Sequence, residues 1–345
     1  MKQVRLIIVG FGTVGQGLAE LLLTQRAVLQ EQHALDIRLV GVANARHGFI
    51  YRADGLNIAT VLTLAKERKP LTEHPDVQHW GTVLEGIQAA DYDVMAEATL
   101  TNLRDAEPGL SYIRAALSKK AHVVTANKGP MALAAYELLA LAQQHGVQLR
   151  FEATVMAGTP VISTAREGMS GSRIQTMRGI LNGTTNYILS AMEAGRDYAE
   201  VLAEAQAKGY AEADPTADVE GYDVMAKVLI LAATVFGQPL QPAQVARTGI
   251  TGVTRTHVLQ AQQANQRIKL IAALNREGDH LKASIAPVAL PLSDPLAHVE
   301  GTMNAITLHS DTLSAVTIIG PGAGRCETGQ GLLADLIAVS RHQAK

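Results

Sequence analysis

The string Val4-Arg-Leu-Ile-Ile-Val9 runs without a break into Gly10-Phe-Gly12-Thr13-Val14-Gly15, and an amphipathic stretch follows that is predicted to be helical through about Leu29. A short apolar run suits a strand buried in a parallel sheet. Glycines spaced G-x-G-x-x-G between a first strand and a first helix allow a tight turn. They also let the backbone approach a pyrophosphate seated on the helix N-terminus. This order points to an α/β fold built on a Rossmann-type, doubly wound parallel sheet. Gly10, Gly12, Thr13, Val14 and Gly15 are therefore the first candidates for contact with a dinucleotide; a glycine turn without a ligand is the alternative.

Ile37-Arg-Leu-Val-Gly-Val-Ala43 reads as the second strand. A fold specific for NAD usually ends this strand in Asp or Glu, which holds the ribose 2′-hydroxyl. Here the strand runs into Ala43-Asn44-Ala45-Arg46. With no carboxylate to repel a 2′-phosphate, and with Arg46 able to pair with one, NADP is favoured and NAD stays open. A solvated loop position is the other reading of Arg46.

Residues 47–90 read as an insertion with one helix near residues 58–68. Asp93-Val-Met-Ala-Glu-Ala98 is the next strand and delivers Thr99 at its carboxyl end, where α/β sheets bind ligands. His122-Val-Val-Thr-Ala126 leads to Asn127-Lys128-Gly129-Pro130 and a helix through about Gln144. Lys128 at a strand end could neutralise a substrate carboxylate or a coenzyme phosphate, or snorkel at the surface. Val147-Gln-Leu-Arg-Phe-Glu152 completes the sheet, and small residues through Pro160 suggest a passage into a second domain.

Near the other end, a strand at residues 316–319, the loop Gly320-Pro-Gly322-Ala-Gly324 and a helix at residues 331–340 repeat the logic of the opening. The expected division is therefore 1–152 plus 316–345 for the coenzyme, and 153–315 for substrate binding and dimerisation. Within the latter, residues 245–315 read as hairpin strands with one helix near residues 257–264. Such a sheet could pair across a dimer axis.

A chain of 345 residues has room for two such domains. Lysine plus arginine number 30 and aspartate plus glutamate 32, a balance that argues against nucleic acid or an anionic membrane as partner. Cys326, the single cysteine, excludes an internal disulfide, and the eleven histidines show no ligand spacing. No apolar run is long enough to span a bilayer, no leader is evident, and a cytoplasmic location is expected.

The chemistry concentrates in Gly209-Tyr-Ala-Glu212-Ala-Asp214-Pro215-Thr-Ala-Asp218-Val-Glu-Gly221-Tyr-Asp223-Val-Met-Ala-Lys227, which leads into the almost wholly apolar Val228-Leu-Ile-Leu-Ala-Ala-Thr-Val-Phe236. An apolar run of that kind marks a buried helix. Asp223 and Lys227, four apart, leave it from one face. A solvated pair is one reading. At the mouth of a buried helix, however, the pair needs partners, and a lysine so placed can act in proton transfer. Asp214-Pro215 also fits an N-cap followed by the first helical position. Upstream, Asn182-Gly183-Thr184-Thr185 precedes another apolar helix. Its amides and hydroxyls suit a carboxylate, or a threonine simply caps the helix.

The pattern Ala205-x-x-x-Gly209-Tyr-Ala-x-x-Asp214-Pro215-x-x-Asp218-Val-x-Gly221-x-Asp223-x-x-x-Lys227 resembles the signature of homoserine dehydrogenases, with every fixed position filled. Thr125-Ala-Asn-Lys128-Gly-Pro and the Asn182-Gly-Thr segment resemble that family too, and the likeness covers nearly the whole chain. It implies reversible reduction of L-aspartate 4-semialdehyde to L-homoserine with NAD(P)H, in the biosynthesis of threonine, methionine and isoleucine. Under it, Lys227 is the proton donor, Asp218 orients it, and Lys128 completes the site. Glu212, Asp223 and Thr184 bind substrate, while Gly209 and Gly324 lie against the coenzyme. The resemblance also implies a monovalent cation, sodium, on the Glu152 carboxylate and the carbonyls of Val155, Ala157 and Thr159, and a homodimer. With only Arg341-His-Gln-Ala-Lys345 after the last helix, a short form without an ACT-type regulatory domain, and no remote-site inhibition by threonine, is expected. The rival readings are another amino-acid dehydrogenase, acting for instance on aspartate, and a non-enzymatic nucleotide-binding redox sensor.

Overall fold

The structure, a computed structural model, describes residues 1–46 and 48–342, apart from the side chain of residue 342. Most of the five-residue tail considered above, residues 343–345, lies outside the described residues. The chain divides into two compact units, Met1–Gly158 with Gly324–Lys345, and Thr159–Ala323.

In the first unit, β1 (Lys2–Val9) leads through the glycine turn to α1 (Thr13–Thr24). The single helix expected through Leu29 is broken at Gln25, and α2 (Arg26–His33) follows. Then come β2 (Leu35–Asn44), β3 (Gly48–Tyr51), α3 (Ile58–Lys66), β4 (Gln78–Trp80) and α4 (Val83–Ala89). The unit continues with β5 (Val94–Glu97), α5 (Gly109–Ser118), β6 (His122–Thr125), α6 (Lys128–Gln144) and β7 (Leu149–Arg150). The seven strands lie in the order β4-β3-β2-β1-β5-β6-β7. β2, β1, β5, β6 and β7 run parallel, and β3 and β4 extend the edge antiparallel.

The strand order reverses beside β1, with β2 on one flank and β5 on the other. A ligand crevice is expected at such a switch point, outside the carboxyl ends of the strands. Residues 47–90 are thus more than an insertion with one helix. Phe49 is fully buried and meets Trp80 edge to face at 5.7 Å, which fastens the two short strands to each other.

The second unit contains β8 (Ile174–Ile180), α7 (Gly183–Glu193), α8 (Tyr198–Ala207), α9 (Thr216–Val219) and α10 (Tyr222–Thr234). β9 (Val245–Arg247), α11 (Arg255–Gln263), β10 (Gln266–Glu277), β11 (His280–Pro291), β12 (Met303–Ser310) and β13 (Val316–Pro321) complete it. Its sheet has the order β13-β12-β8-β10-β11-β9 and is antiparallel except where β11 meets β9. Residues 224 and 226–233 of α10 are all buried, as the apolar run requires. On β10, Lys269 is completely buried, with Glu193 at the end of α7 3.8 Å away and the Ser190 hydroxyl at 3.4 Å.

The strand near residue 316 corrects the expected division. It pairs with β12 along residues 303–308 and so belongs to the second sheet; the chain re-enters the first unit at Gly324. A glycine loop after a strand looks the same locally whichever sheet the strand joins. The return is α12 (Arg325–His342), whose Leu332, Leu333, Leu336 and Val339 pack into the core formed by Leu6, Ile8, Leu18 and Val124. Asp335 ties it down: its carboxylate accepts from Arg150 Nε at 2.9 Å and from the Glu152 amide at 2.7 Å. No described helix is long and apolar enough to cross a membrane.

Candidate active site

The site residues fall into two sets, one in each unit. In the first unit the amides of Gly10 and Phe11 both donate to the Ala43 carbonyl, at 2.9 and 3.1 Å, so Ala43 holds the glycine turn with its backbone. Gly10 has φ of 96°, and a Cβ there would come within 2.4 Å of the Ala98 carbonyl; only glycine lets this turn lie against the end of β5. Gly12 and Thr13 are exposed at the start of α1, whose first turn has no side-chain cap. Unclaimed amides there, with the helix dipole, make an anion seat. Arg46 is exposed at the tip of β2, its amide donating to Asn44 Oδ1. Gly324 precedes α12 with φ of 140°.

Thr99 and Lys128 come from adjacent strand ends. Thr99 donates through amide and hydroxyl to Glu97 Oε1, and Asn127 Nδ2 reaches the Thr99 hydroxyl at 3.1 Å. Asn127 caps α6 by accepting from Gly129 N, which puts Lys128 at the first position of that helix. Burial pushes the Glu97 carboxyl up from the ordinary range, against the pull of its hydrogen-bond donors. Sequence reasoning passed over Glu97. The signal was there, a lone acid in a strand otherwise suited to the core.

In the second unit Lys227 is 6% exposed. Its ammonium donates to the Leu181 carbonyl and, at 2.8 Å, to Asp223 Oδ2, so the expected i,i+4 pair forms, with the ammonium buried and the carboxylate part-buried. Asn182 caps α7 through Thr185 N at 2.9 Å. Its Nδ2 donates to Asp218 Oδ1 at 2.7 Å and Asp223 Oδ2 at 3.0 Å. Two carboxylates therefore share one amide, and Asp218 connects with Lys227 through Asn182 and Asp223. Burial, with Asp223 nearby, pushes the Asp218 carboxyl up despite the Asn182 donor. The Asn182-Gly-Thr segment stood out in the sequence, but the bridging role of its first residue did not. Neither threonine is the cap.

Three further residues of the site have these surroundings. The Thr184 hydroxyl donates to the Tyr210 carbonyl at 2.6 Å and so pins the loop that carries the signature. Gly209, at φ of 73°, closes α8, with Tyr210 N returning to the Ala205 carbonyl. Glu212 is exposed, and its carboxyl makes no hydrogen bond with any described residue. Asp214 accepts from Thr216 N at 3.1 Å, but Pro215 is itself the N-cap of α9 and Thr216 its first residue, so Asp214 stands one position ahead of the expected cap.

At the proposed cation turn, Glu152 is 4% exposed, and Met156 and Ala157 have φ of 59° and 53°. Two successive left-handed residues turn the carbonyls of the segment away from the usual ladder. A buried carboxylate beside such carbonyls is a donor set compatible with a hard cation. Among the described residues no cluster of three or more His, Cys, Asp or Glu could hold a metal.

Relatives support the same chemistry. The homoserine dehydrogenase family model matches residues 160–337, and that of the homoserine dehydrogenase NAD-binding domain matches residues 10–152. The chain is 40% identical to an NAD(+)-dependent homoserine dehydrogenase of Pseudomonas canavaninivorans, over 100% of this chain and 97% of that one. It is 36% identical to the homoserine dehydrogenase of Methanocaldococcus jannaschii, over 97% and 98%. Among solved structures, a homoserine dehydrogenase from Thiobacillus denitrificans superposes with a TM-score of 0.85 at 34% identity, covering 100% of this chain and 75% of that one. A hyperthermophilic archaeal homoserine dehydrogenase mutant in complex with NADPH gives a TM-score of 0.85 at 28% identity, covering 99% and 98%. These matches favour neither the aspartate-dehydrogenase nor the redox-sensor alternative. The chain belongs to the homoserine dehydrogenase family, NAD(P)-dependent oxidoreductases that act on a CH–OH group.

Proposed function

We propose that Lys227 is the acid in the reduction of L-aspartate 4-semialdehyde to L-homoserine. The observation that carries this reading is a buried ammonium held by one carbonyl and one carboxylate, at the mouth of an apolar helix. When bound, the reduced nicotinamide supplies the hydride to the aldehyde carbon. The positive charge of Lys227 stabilises the oxygen as it becomes an alkoxide, and Nζ then delivers the proton. Asp223 fixes the ammonium and, with Asp218, offers acceptors for the substrate's ammonium and hydroxyl. Asn182 bridges the two carboxylates through its amide. Thr184 acts through the loop it holds, and Glu212 is left to meet substrate from an exposed position. In the first unit, the Gly10 turn and the α1 N-terminus take the pyrophosphate, and Thr99 and Lys128 serve the nicotinamide end.

NADPH is the proposed preferred coenzyme, since β2 ends without a carboxylate and Arg46 stands exposed at its tip. Sodium is proposed at Glu152 and the carbonyls of Val155 and Ala157, with Thr159 the first residue of the second unit. Addition of sodium in place of a bulky organic cation should then raise the unfolding temperature. A homodimer through the second unit is proposed because Val288, Leu292, Met303, Leu313 and Ile319 are 37–53% exposed on or beside its strands; a monomer mass in sedimentation would contradict it. A cytoplasmic location and a place in the formation of the aspartate-derived amino acids are part of the same proposal. The direct test is NADPH oxidation, followed by absorbance, with aspartate semialdehyde as substrate and NADH in parallel. Absence of turnover with both coenzymes would overturn the reading.

A further inference from the structure

Glu97 ends β5 with no exposed surface, and no Lys, Arg or His among the described residues forms an ion pair with it. A carboxylate in such a place is costly unless donors surround it. Donors do surround it. Oε1 accepts from the Thr99 amide at 2.9 Å, from the Thr99 hydroxyl and from Asn127 Nδ2 at 3.3 Å; Oε2 accepts from the Thr125 hydroxyl at 2.7 Å. Two of these donors, the backbone amide and the carboxamide nitrogen, cannot reverse their role. The Thr125 oxygen in turn accepts from Asn127 N at 3.0 Å.

This network joins two turns that are far apart in sequence. One follows β5 and carries Thr99, against which the Gly10 turn lies. The other follows β6, where Asn127 starts α6 and Lys128 is its first residue. Glu97 and Thr125 are register partners in the parallel ladder, so the carboxyl sits beneath both turns. The opening of α5 is shaped to the same point. A Cβ on Gly109 would come within 2.5 Å of Asn127 Nδ2 and 3.4 Å of Glu97 Oε1. A core that needed only volume here would be met by an apolar side chain. The polar arrangement fixes the directions of Thr99 and of the Asn127–Lys128 step.

We propose that Glu97 is a positioning residue for the reaction, holding the Thr99 turn and Lys128 in the arrangement that receives the nicotinamide end of the coenzyme. The inference rests on the roles given above to Thr99 and Lys128. It extends them to a group that touches neither substrate nor coenzyme.

The test compares Glu97→Leu with Glu97→Gln. Glutamine keeps the shape and one acceptor for the Thr99 amide and Asn127; leucine removes every acceptor. NADPH binding is read by fluorescence titration, folding by circular dichroism and thermal melting, and kinetics with homoserine and coenzyme varied separately. Displacement of a reacting group by about 1 Å can lower turnover by about 10²-fold. Glu97→Leu should therefore lower kcat by that order and weaken NADPH binding roughly tenfold, with homoserine KM within about twofold. Glu97→Gln should recover most of both losses. A structural role alone would lower the melting temperature and leave the NADPH dissociation constant of the folded protein unchanged, and that result overturns the proposal. If Glu97→Leu does not fold, Thr125→Val, which removes the Oε2 partner and with it the acceptor of Asn127 N, decides: unchanged NADPH binding and kcat overturn the proposal. Lys128→Met separates the two levels. If it is impaired while Glu97→Leu is not, this inference alone fails. If Lys128→Met and Thr99→Ala both bind and turn over normally, the underlying site reading fails as well.

Discussion

Replacement of Asn182 by aspartate isolates the bridge between the two carboxylates. Aspartate caps a helix as well as asparagine does, so the bond from Thr185 N survives, while the donor to Asp218 and Asp223 is lost. A third carboxylate then stands where the amide now lies 2.7 and 3.0 Å from its partners. At an effective dielectric near 20, two unit charges about 3 Å apart repel by roughly 5 kcal/mol. The folded variant can relieve this by sharing one proton with Asp218, which restores a hydrogen bond in place of the N–H. Retaining that proton costs about 1.4 kcal/mol for each pH unit above the carboxylate range, up to the Coulomb limit. The unfolded chain has already released it, so the folded variant binds more protons and its stability falls as pH rises. The expected deficit against wild type is about 1 kcal/mol near pH 5, widening to about 3–5 kcal/mol near pH 8. Asn182→Ala provides the control. It loses the cap and both donors without adding charge, so its deficit changes far less with pH. Urea unfolding followed by circular dichroism at several pH values measures both. A deficit in Asn182→Asp that stays level, or shrinks toward high pH, would refute the bridging role.

Lys227→Met should lower kcat by roughly 10²–10⁴, the range for loss of a general acid, while NADPH binding by fluorescence stays near wild type. Arg46→Asp should raise the KM for NADPH and leave that for NADH largely unchanged, as steady-state kinetics with each coenzyme would show. In the buried pair on β10, Glu193→Ala should be more harmful than Lys269→Met. It strands a fully buried ammonium at a cost of about 3–5 kcal/mol, whereas the glutamate keeps Arg267 at 3.8 Å. Thermal melting of both variants ranks them, and the reverse order would contradict the argument. Asp335→Ala should destabilise the first unit by a similar amount, about 3–5 kcal/mol, because Arg150 and the Glu152 amide lose their shared acceptor. A melting temperature within a degree or two of wild type would count against it.

What could be seen in the sequence was whatever local pattern dictates. The Gly10 turn announces itself because a glycine conformation, a strand and a helix must coincide within a few residues. The helix carrying Asp223 and Lys227 is equally plain, since an apolar run with two charges at its head admits few placements. Features set by long-range pairing were hidden. Residues 48–51 and 78–80 are too short to show alternation, and only their pairing with β2 and with each other makes them strands. Residues 316–321 carry the same local signal in either sheet. The same limit governed the site. Asn182 bridges groups 36 and 41 positions away, and the Thr125 and Asn127 donors to Glu97 lie 28 and 30 positions on. A donor that waits for a distant acceptor leaves no spacing to read.

The first unit is assembled from both sides of the second, and this imposes an order on folding during synthesis. Leu332, Leu333, Leu336 and Val339 are at most 3% exposed, and their places in the first core stay unfilled until all of Thr159–Ala323 has been made. At ribosomal speeds of about 5–20 residues per second, the 165 residues from Thr159 to Ala323 take roughly ten to thirty seconds to emerge. For that time β1, α1 and their neighbours carry an open apolar seam, whereas the inserted unit is continuous in sequence and can close as soon as it is complete. The nascent chain should therefore gain protease resistance first in its middle and only afterwards at its beginning.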